Sequence, residues 1–84
     1  MRHSNIRFGE LVKILRHLGF SEGRVKGSHM VLRYGSEGVV IALPIQRPSE
    51  YVSPQHLVAV RRAIVSAGIR SPIEFDNLFG GGNP

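Results

Sequence analysis

The chain has 84 residues, of which 42% are apolar and none is cysteine, which predicts one domain with a modest core. The lack of cysteine excludes disulfides and thiolate metal sites, and no apolar run approaches the roughly 18 residues of a membrane span, so we expect a cytoplasmic protein. The formal net charge of +5 is typical of a protein that binds a polyanion.

The first predicted element is an amphipathic helix from about Arg7 to Leu18. Its apolar side chains recur on one stripe, and its charged side chains lie on the opposite side. Gly19 is placed to end this helix, and Phe20 is placed to make the apolar contact that follows a C-terminal glycine. The stripe consists of Phe8, Leu11, Leu15 and Leu18.

Three strand candidates follow the helix, over Glu22 to Lys26, Ser28 to Tyr34 and Val39 to Leu43. A tight turn at Lys26-Gly27 separates the first two, and a hairpin loop at Gly35 to Gly38 separates the last two. The third candidate is continuously apolar, which favours a central or well covered position in the sheet.

The second strand alternates, which predicts a different role for each of its faces. One set of side chains would face the helices: Met30, Leu32 and Tyr34. The other set would share an open face, with Arg33 within reach of whatever His29 touches: His29, Val31 and Arg33.

A second helix is predicted to begin at Ser53-Pro54, a cap followed by proline, and to end at Gly68-Ile69. We expect it to bury Leu57, Val60, Ile64 and Ala67. The run Ser71-Pro72-Ile73-Glu74 is a capping box that predicts a short helix to about Phe79. That helix either fills the core or docks on a partner with Phe75, Leu78 and Phe79.

This order of elements predicts an α+β fold of α-β-β-β-α type. The sheet would be a three-stranded antiparallel meander with the two helices on one face, and the short C-terminal helix would be added to it. Residues 1–79 would form a single domain, and the glycine-rich residues 80–84 would be a disordered tail.

Positive charge is concentrated in the first part of the chain. Residues 1–33 hold seven cations and two acids, whereas residues 34–84 hold four cations and four acids. The excess is therefore expected on the first helix and hairpin, around His29, where it would attract nucleic acid.

The stretch from Arg24 to His29 combines the groups that RNA cleavage requires. Arg24 and Lys26 supply positive charge, Gly27 allows a turn that brings backbone N–H groups close to an anion, and Ser28 adds a hydroxyl donor. His29 can exchange a proton near neutral pH, because the ordinary pKa of histidine is about 6.5. Arg33 is a weaker candidate for phosphate contact.

The remaining histidines and acids show no metal-ligand spacing, so we expect neither a metal nor another cofactor. Two other interpretations remain open. The chain could be a module that binds RNA without cutting it, or a regulatory subunit whose basic half binds an acidic protein partner.

The chain also resembles a known family, the HicA toxins of prokaryotic toxin–antitoxin pairs, over about residues 6–79. The resemblance rests on five runs of sequence: Leu11-Val12-Lys13-Ile14-Leu15, Leu18-Gly19-Phe20, Arg24-Val25-Lys26-Gly27-Ser28-His29, Leu43-Pro44 and Ala67-Gly68-Ile69. It implies a double-stranded-RNA-binding-domain-like fold and a metal-independent ribonuclease that cleaves mRNA. It also implies a HicB-like antitoxin as partner and His29 as the catalytic histidine.

The chain departs from the family pattern in one segment. Many members carry a second histidine two residues after the proline, where this chain has Gln46. Residues 46–52 also replace a shorter glycine-rich loop.

Overall fold

The computed structural model describes residues 6–23, 27–35 and 38–79. The elements follow in the order α1 (Phe8–Leu18), β1 (Phe20–Glu22), β2 (His29–Tyr34), β3 (Val39–Pro44), α2 (Pro54–Ser66) and α3 (Pro72–Leu78). The predicted α+β class and the α-β-β-β-α order are confirmed. The expected tail at residues 80–84 lies outside the described residues.

The sheet is an antiparallel meander in the order β1-β2-β3, so β2 is central and β3 lies at an edge. The prediction of a central or well covered third strand was wrong. Ile41 and Leu43 are buried, whereas Val40 and Ala42, which alternate with them, are exposed, so the strand is apolar on both faces but covered on only one.

The first strand starts earlier than predicted. It begins at Phe20, directly after the glycine that ends α1, and finishes at Glu22, so the predicted start at Glu22 was wrong. The part of the predicted range from Arg24 to Lys26 lies outside the described residues. Phe20 pairs with Tyr34 across the sheet, and their ring centroids are 5.3 Å apart. This aromatic contact places the start of the strand beside the end of β2.

The core lies between one face of the sheet and the helices. Cross-strand pairing places Leu32 opposite both Glu22 and Ile41, and Leu32 is fully buried. The predicted alternation of β2 is confirmed, since Met30, Leu32 and Tyr34 are covered while His29 and Arg33 are exposed. We call the face that carries His29 and Arg33 the open face.

The C-terminal helix fills the core. Phe75 and Phe79 are buried and stack with their ring centroids 4.1 Å apart, while Leu78 is 36% exposed. Arg61 of α2 donates to Asp76 at 3.2 Å and ties the two helices together. Ala67 was expected to be buried but is exposed, because α2 ends at Ser66 and the chain turns away.

The segment 45–52 is bound to the start of α1. The first N–H groups of a helix have no partner within it, and here two of them find carbonyls in this segment. Phe8 donates to Glu50 at 2.7 Å, and Gly9 donates to Pro48 at 3.1 Å. Since a side chain at position 9 would meet Pro48, glycine there permits the close approach.

Two glycines with positive φ give a matched test of the contact at the end of α1. Gly19 has φ of 116° and a Cβ there would lie 2.9 Å from the Tyr34 ring, whereas Gly68 has φ of 75° and open space around it. We expect Gly68→Ala to lower the free energy of unfolding by about 1–2 kcal/mol through backbone strain alone. Gly19→Ala should lower the free energy of unfolding by more than Gly68→Ala does, because the Tyr34 ring must also move. Denaturant unfolding measures both, and equal losses would contradict the role of the Tyr34 contact.

The capping box of α3 makes stability depend on pH. The Ser71 backbone N–H donates to the Glu74 carboxylate at 2.8 Å, and this bond holds the pKa of Glu74 below its usual value. A lowered folded-state pKa adds stability above the unfolded pKa of about 4.3, and that stability is lost as the pH falls through the folded pKa. Glu74→Gln should therefore destabilise the protein near neutral pH, with the difference vanishing in acid. Thermal unfolding across pH checks this, and a difference that persists in acid would contradict it.

Candidate functional site

His29 is the first residue of β2 and stands exposed on the open face. The turn before it is held by the sheet, because the Ile45 N–H donates to the Ser28 carbonyl at 2.9 Å. Gly27 has φ of 62°, the left-handed conformation that glycine adopts without strain, and no described residue other than its chain neighbours lies within 4 Å of the place its Cβ would take. The histidine therefore projects from the start of a paired strand, directly after this turn.

The open face around His29 carries apolar and polar side chains in equal number. Its side chains come from all three strands, with half-buried Val31 in the middle: Ser21, His29, Val31, Arg33, Val40 and Ala42. The described helices pack on the other face of the sheet. An extended ligand can therefore lie along β2 without displacing any described element.

Arg33 shares the open face with His29 but does not share its position. The two residues are four apart on one strand, which separates them by roughly 13 Å at about 3.3 Å per residue. That Arg33 reaches whatever His29 touches stays a prediction, because it depends on how far the long arginine side chain extends along the open face.

Ser21 lies opposite Arg33 on β1 and is also exposed. Sequence reasoning did not select it, because only the register of the two strands brings it next to Arg33. Gly27 and Ser28 are exposed beside His29, as expected. Arg24 and Lys26, the two expected phosphate-binding cations, lie outside the described residues.

The other described cations of residues 1–33 lie away from His29. Arg16 pairs with Glu22 on the helix side of the sheet. The Arg7 guanidinium lies 4.6 Å from the centroid of the Tyr51 ring and donates to the Ser49 carbonyl at 2.9 Å. Lys13 is exposed on α1. Among the described strand residues, Arg33 is the cation of the open face. The expected concentration of positive charge around His29 stays a prediction, because Arg24 and Lys26 lie outside the described residues.

The remaining described histidines belong to the helix layer. His17 is exposed on α1. His56 lies in the first turn of α2, and its Nδ1 is 2.6 Å from the hydroxyl of Ser53. That hydroxyl is the one expected to cap the helix, but it makes no capping bond. Neither histidine stands on the open face with His29.

Gln46, which occupies the position of a second histidine in many HicA toxins, has a structural role here. It is half-buried, and its Nε2 donates to the Tyr51 carbonyl at 3.2 Å. The bond stabilises the segment that caps α1. Across the described ranges, no three histidine or acidic side chains cluster closely enough to hold a metal ion.

Comparison of this chain with family models, with curated proteins and with solved structures yields no match. Within the described part of the chain, no helix has the length and apolar character needed to cross a membrane. The description of the site therefore depends on its geometry and chemistry.

The exposure of His29 predicts that its side chain contributes little to folding. His29→Ala should change the free energy of unfolding by less than about 0.5 kcal/mol, as at most surface positions. Leu32→Ala, on the same strand but fully buried, should cost about 2–5 kcal/mol. Denaturant unfolding compares the two. A large loss in the His29 variant would show that the histidine is a packing residue.

Proposed function

We propose that the protein is a metal-independent RNA endonuclease that uses His29 for acid–base catalysis, and that it acts as a toxin of the HicA type in the cytoplasm. The observation that carries the proposal is the position of His29. It is an exposed proton-transfer group on a sheet face that no described helix covers, and it follows a turn in which Gly27 has no side chain to oppose a phosphate.

The chemistry follows from what one histidine can do beside a phosphodiester. The ribose 2′-hydroxyl attacks the adjacent phosphorus, a new P–O bond forms, and the bond to the 5′-oxygen breaks. His29 either takes the proton from the 2′-hydroxyl or gives one to the departing 5′-oxygen. A single positioned group of this kind contributes about 10²- to 10⁴-fold, so the enzyme is expected to be slow.

RNA would lie along β2 on the open face. Gly27 and Ser28 flank the phosphate at His29, and the neighbouring Arg24 and Lys26 add charge in the sequence. Arg33, about 13 Å further along the strand, binds a different phosphate of the same RNA. A HicB-like antitoxin would silence the enzyme by covering this face, with acidic side chains directed at the cations.

A second candidate function is RNA binding without cleavage. The bond from Gln46 to the Tyr51 carbonyl favours it, because the residue at that position is engaged in structure and supplies no second proton-transfer group. The two functions share the open face and differ only in what His29 does.

The test is RNA cleavage and RNA binding by the purified protein and two matched histidine variants. His29→Ala should lower the cleavage rate by at least about 100-fold while RNA binding is retained, because one proton-transfer group is lost and the cations remain. His17→Ala, which removes an exposed histidine from α1, should cleave like the unmodified protein. Cleavage should also require the 2′-hydroxyl and continue in EDTA.

The outcomes separate the candidates. Full activity in the His29 variant would refute the catalytic assignment. Binding without cleavage by the unmodified protein would support the RNA-binding module. Cleavage that EDTA abolishes, or equal cleavage of DNA, would refute the mechanism.

A further inference from the structure

The outer side of β3 presents unpaired backbone groups. The Ile45 N–H points toward β2, where it donates to Ser28, and the direction of N–H groups alternates along an extended strand. The N–H and C=O groups of Val40 and Ala42 therefore point away from the sheet, as does the carbonyl of Pro44. We call these groups the β3 edge. In the described part of the chain no further strand follows β3 in the sheet.

A shallow groove of about 150 Å³ runs beside the β3 edge, between β3 and α2. Its wall on the α2 side is made largely of small side chains that leave the strand accessible: His56, Ala59, Val60 and Ala63. Ala59 is exposed, and Ala63 is half-buried. The edge can therefore be reached from solvent without moving the helix.

This surface contains no charged side chain. The residues of β3 are Val39-Val40-Ile41-Ala42-Leu43-Pro44, and none of the groove residues is lysine, arginine, aspartate or glutamate. Monomeric proteins usually protect an edge strand with charge, a bulge or a covering element. Among the described residues, Pro44 at the end of the strand is the one such device.

We propose that the β3 edge pairs with the β3 edge of a second copy of the chain, antiparallel and around a two-fold axis at Ile41. A β-strand is the occupant that would pair these free N–H and C=O groups. The neutrality of the surface favours a second copy, because two chains of net charge +5 meet no like-charge repulsion between the paired surfaces there. An acidic partner would instead be attracted to the cationic surfaces.

The register about Ile41 pairs every outward N–H of the edge and leaves only the Gly38 carbonyl without a donor. Val40 then lies opposite Ala42 of the second copy, and each of the two donates its N–H to the carbonyl of the other. Pro44, which has no N–H, lies opposite Gly38 at the end of the ladder, where the missing donor interrupts nothing. A register centred on Ala42 would place Pro44 opposite Val40 and leave the Val40 carbonyl without a donor.

The helices accommodate this arrangement. Pairing two β3 edges brings the two α2 helices side by side, and Ala59 and Ala63, one turn apart on the groove side, let them approach closely. The joined sheet keeps both open faces uncovered, so His29 remains accessible in each copy. The inference is therefore independent of the proposed ribonuclease activity.

Sedimentation velocity of the full chain, from about 1 µM to about 1 mM, tests the proposal. The unmodified protein should shift from monomer to dimer in this range. Ala59→Lys should weaken dimerisation at least tenfold, whereas Val58→Lys, which adds the same charge to the neighbouring exposed position outside the groove, should not. A protein that stays monomeric throughout, or equal weakening by both variants, would overturn the proposal.

A second variant acts on the backbone alone. Ala42→Pro removes an N–H that β2 does not use, so the monomer should keep its fold while dimerisation is lost. Should this variant unfold, the comparison of Ala59→Lys with Val58→Lys still decides the question. Dimerisation that a folded Ala42→Pro variant retains would refute edge pairing.

Disulfide formation tests the register, since the chain has no cysteine of its own. A mixture of Val40→Cys and Ala42→Cys proteins should form a cross-linked dimer on oxidation, because opposite residues in such a pair have Cα atoms about 5.5 Å apart. Each variant alone should cross-link far less. Cross-linking by Ala42→Cys alone that exceeds that of the mixture would exclude the register about Ile41.

Discussion

Leu32, at the middle of β2, is fully buried against the helices. The orientation of the candidate site residues on the same strand depends on this contact. Because side chains alternate along a strand, burial of Leu32 turns His29 and Arg33 to the opposite face. A shift of one residue in the pairing of β2 would place the histidine in the core and the leucine in water. The apolar contact thereby determines where the candidate site is.

The start of α1 depends on the segment 45–52, whose carbonyls accept hydrogen bonds from the first N–H groups of the helix. Carbonyls of Pro48 and Glu50 accept the first N–H groups of α1, and the Val52 N–H donates to Ile6 at 2.9 Å. The Arg7 side chain is held over the Tyr51 ring by the same segment. Arg7, which belongs to the basic part of the chain, and Gln46, at the position of the second histidine, are thus engaged in holding the fold together.

The open face and the β3 edge are different surfaces of the sheet, so the proposed RNA binding and the proposed dimerisation use separate parts of it. The open face carries His29 and Arg33, while the β3 edge lies in the plane of the sheet and carries unpaired backbone groups. A ligand on the face binds side chains, whereas a partner at the edge binds main chain. Occupation of one therefore leaves the other accessible, and two paired copies would present two open faces on one continuous sheet.

The sequence by itself determined the class of fold, the helices and the orientation of β2, because these depend on local periodicity and on capping residues such as Gly19 and Ser71. It also identified His29 as the candidate for proton transfer, which depends only on residue chemistry. The tertiary structure decided that β3 is an edge strand and that β1 begins at Phe20. It also decided that Ser21 joins the open face and that Gln46 is structural. These features depend on strand pairing and on contacts between residues that are distant in the chain, and a local sequence pattern does not specify which distant residues will pair.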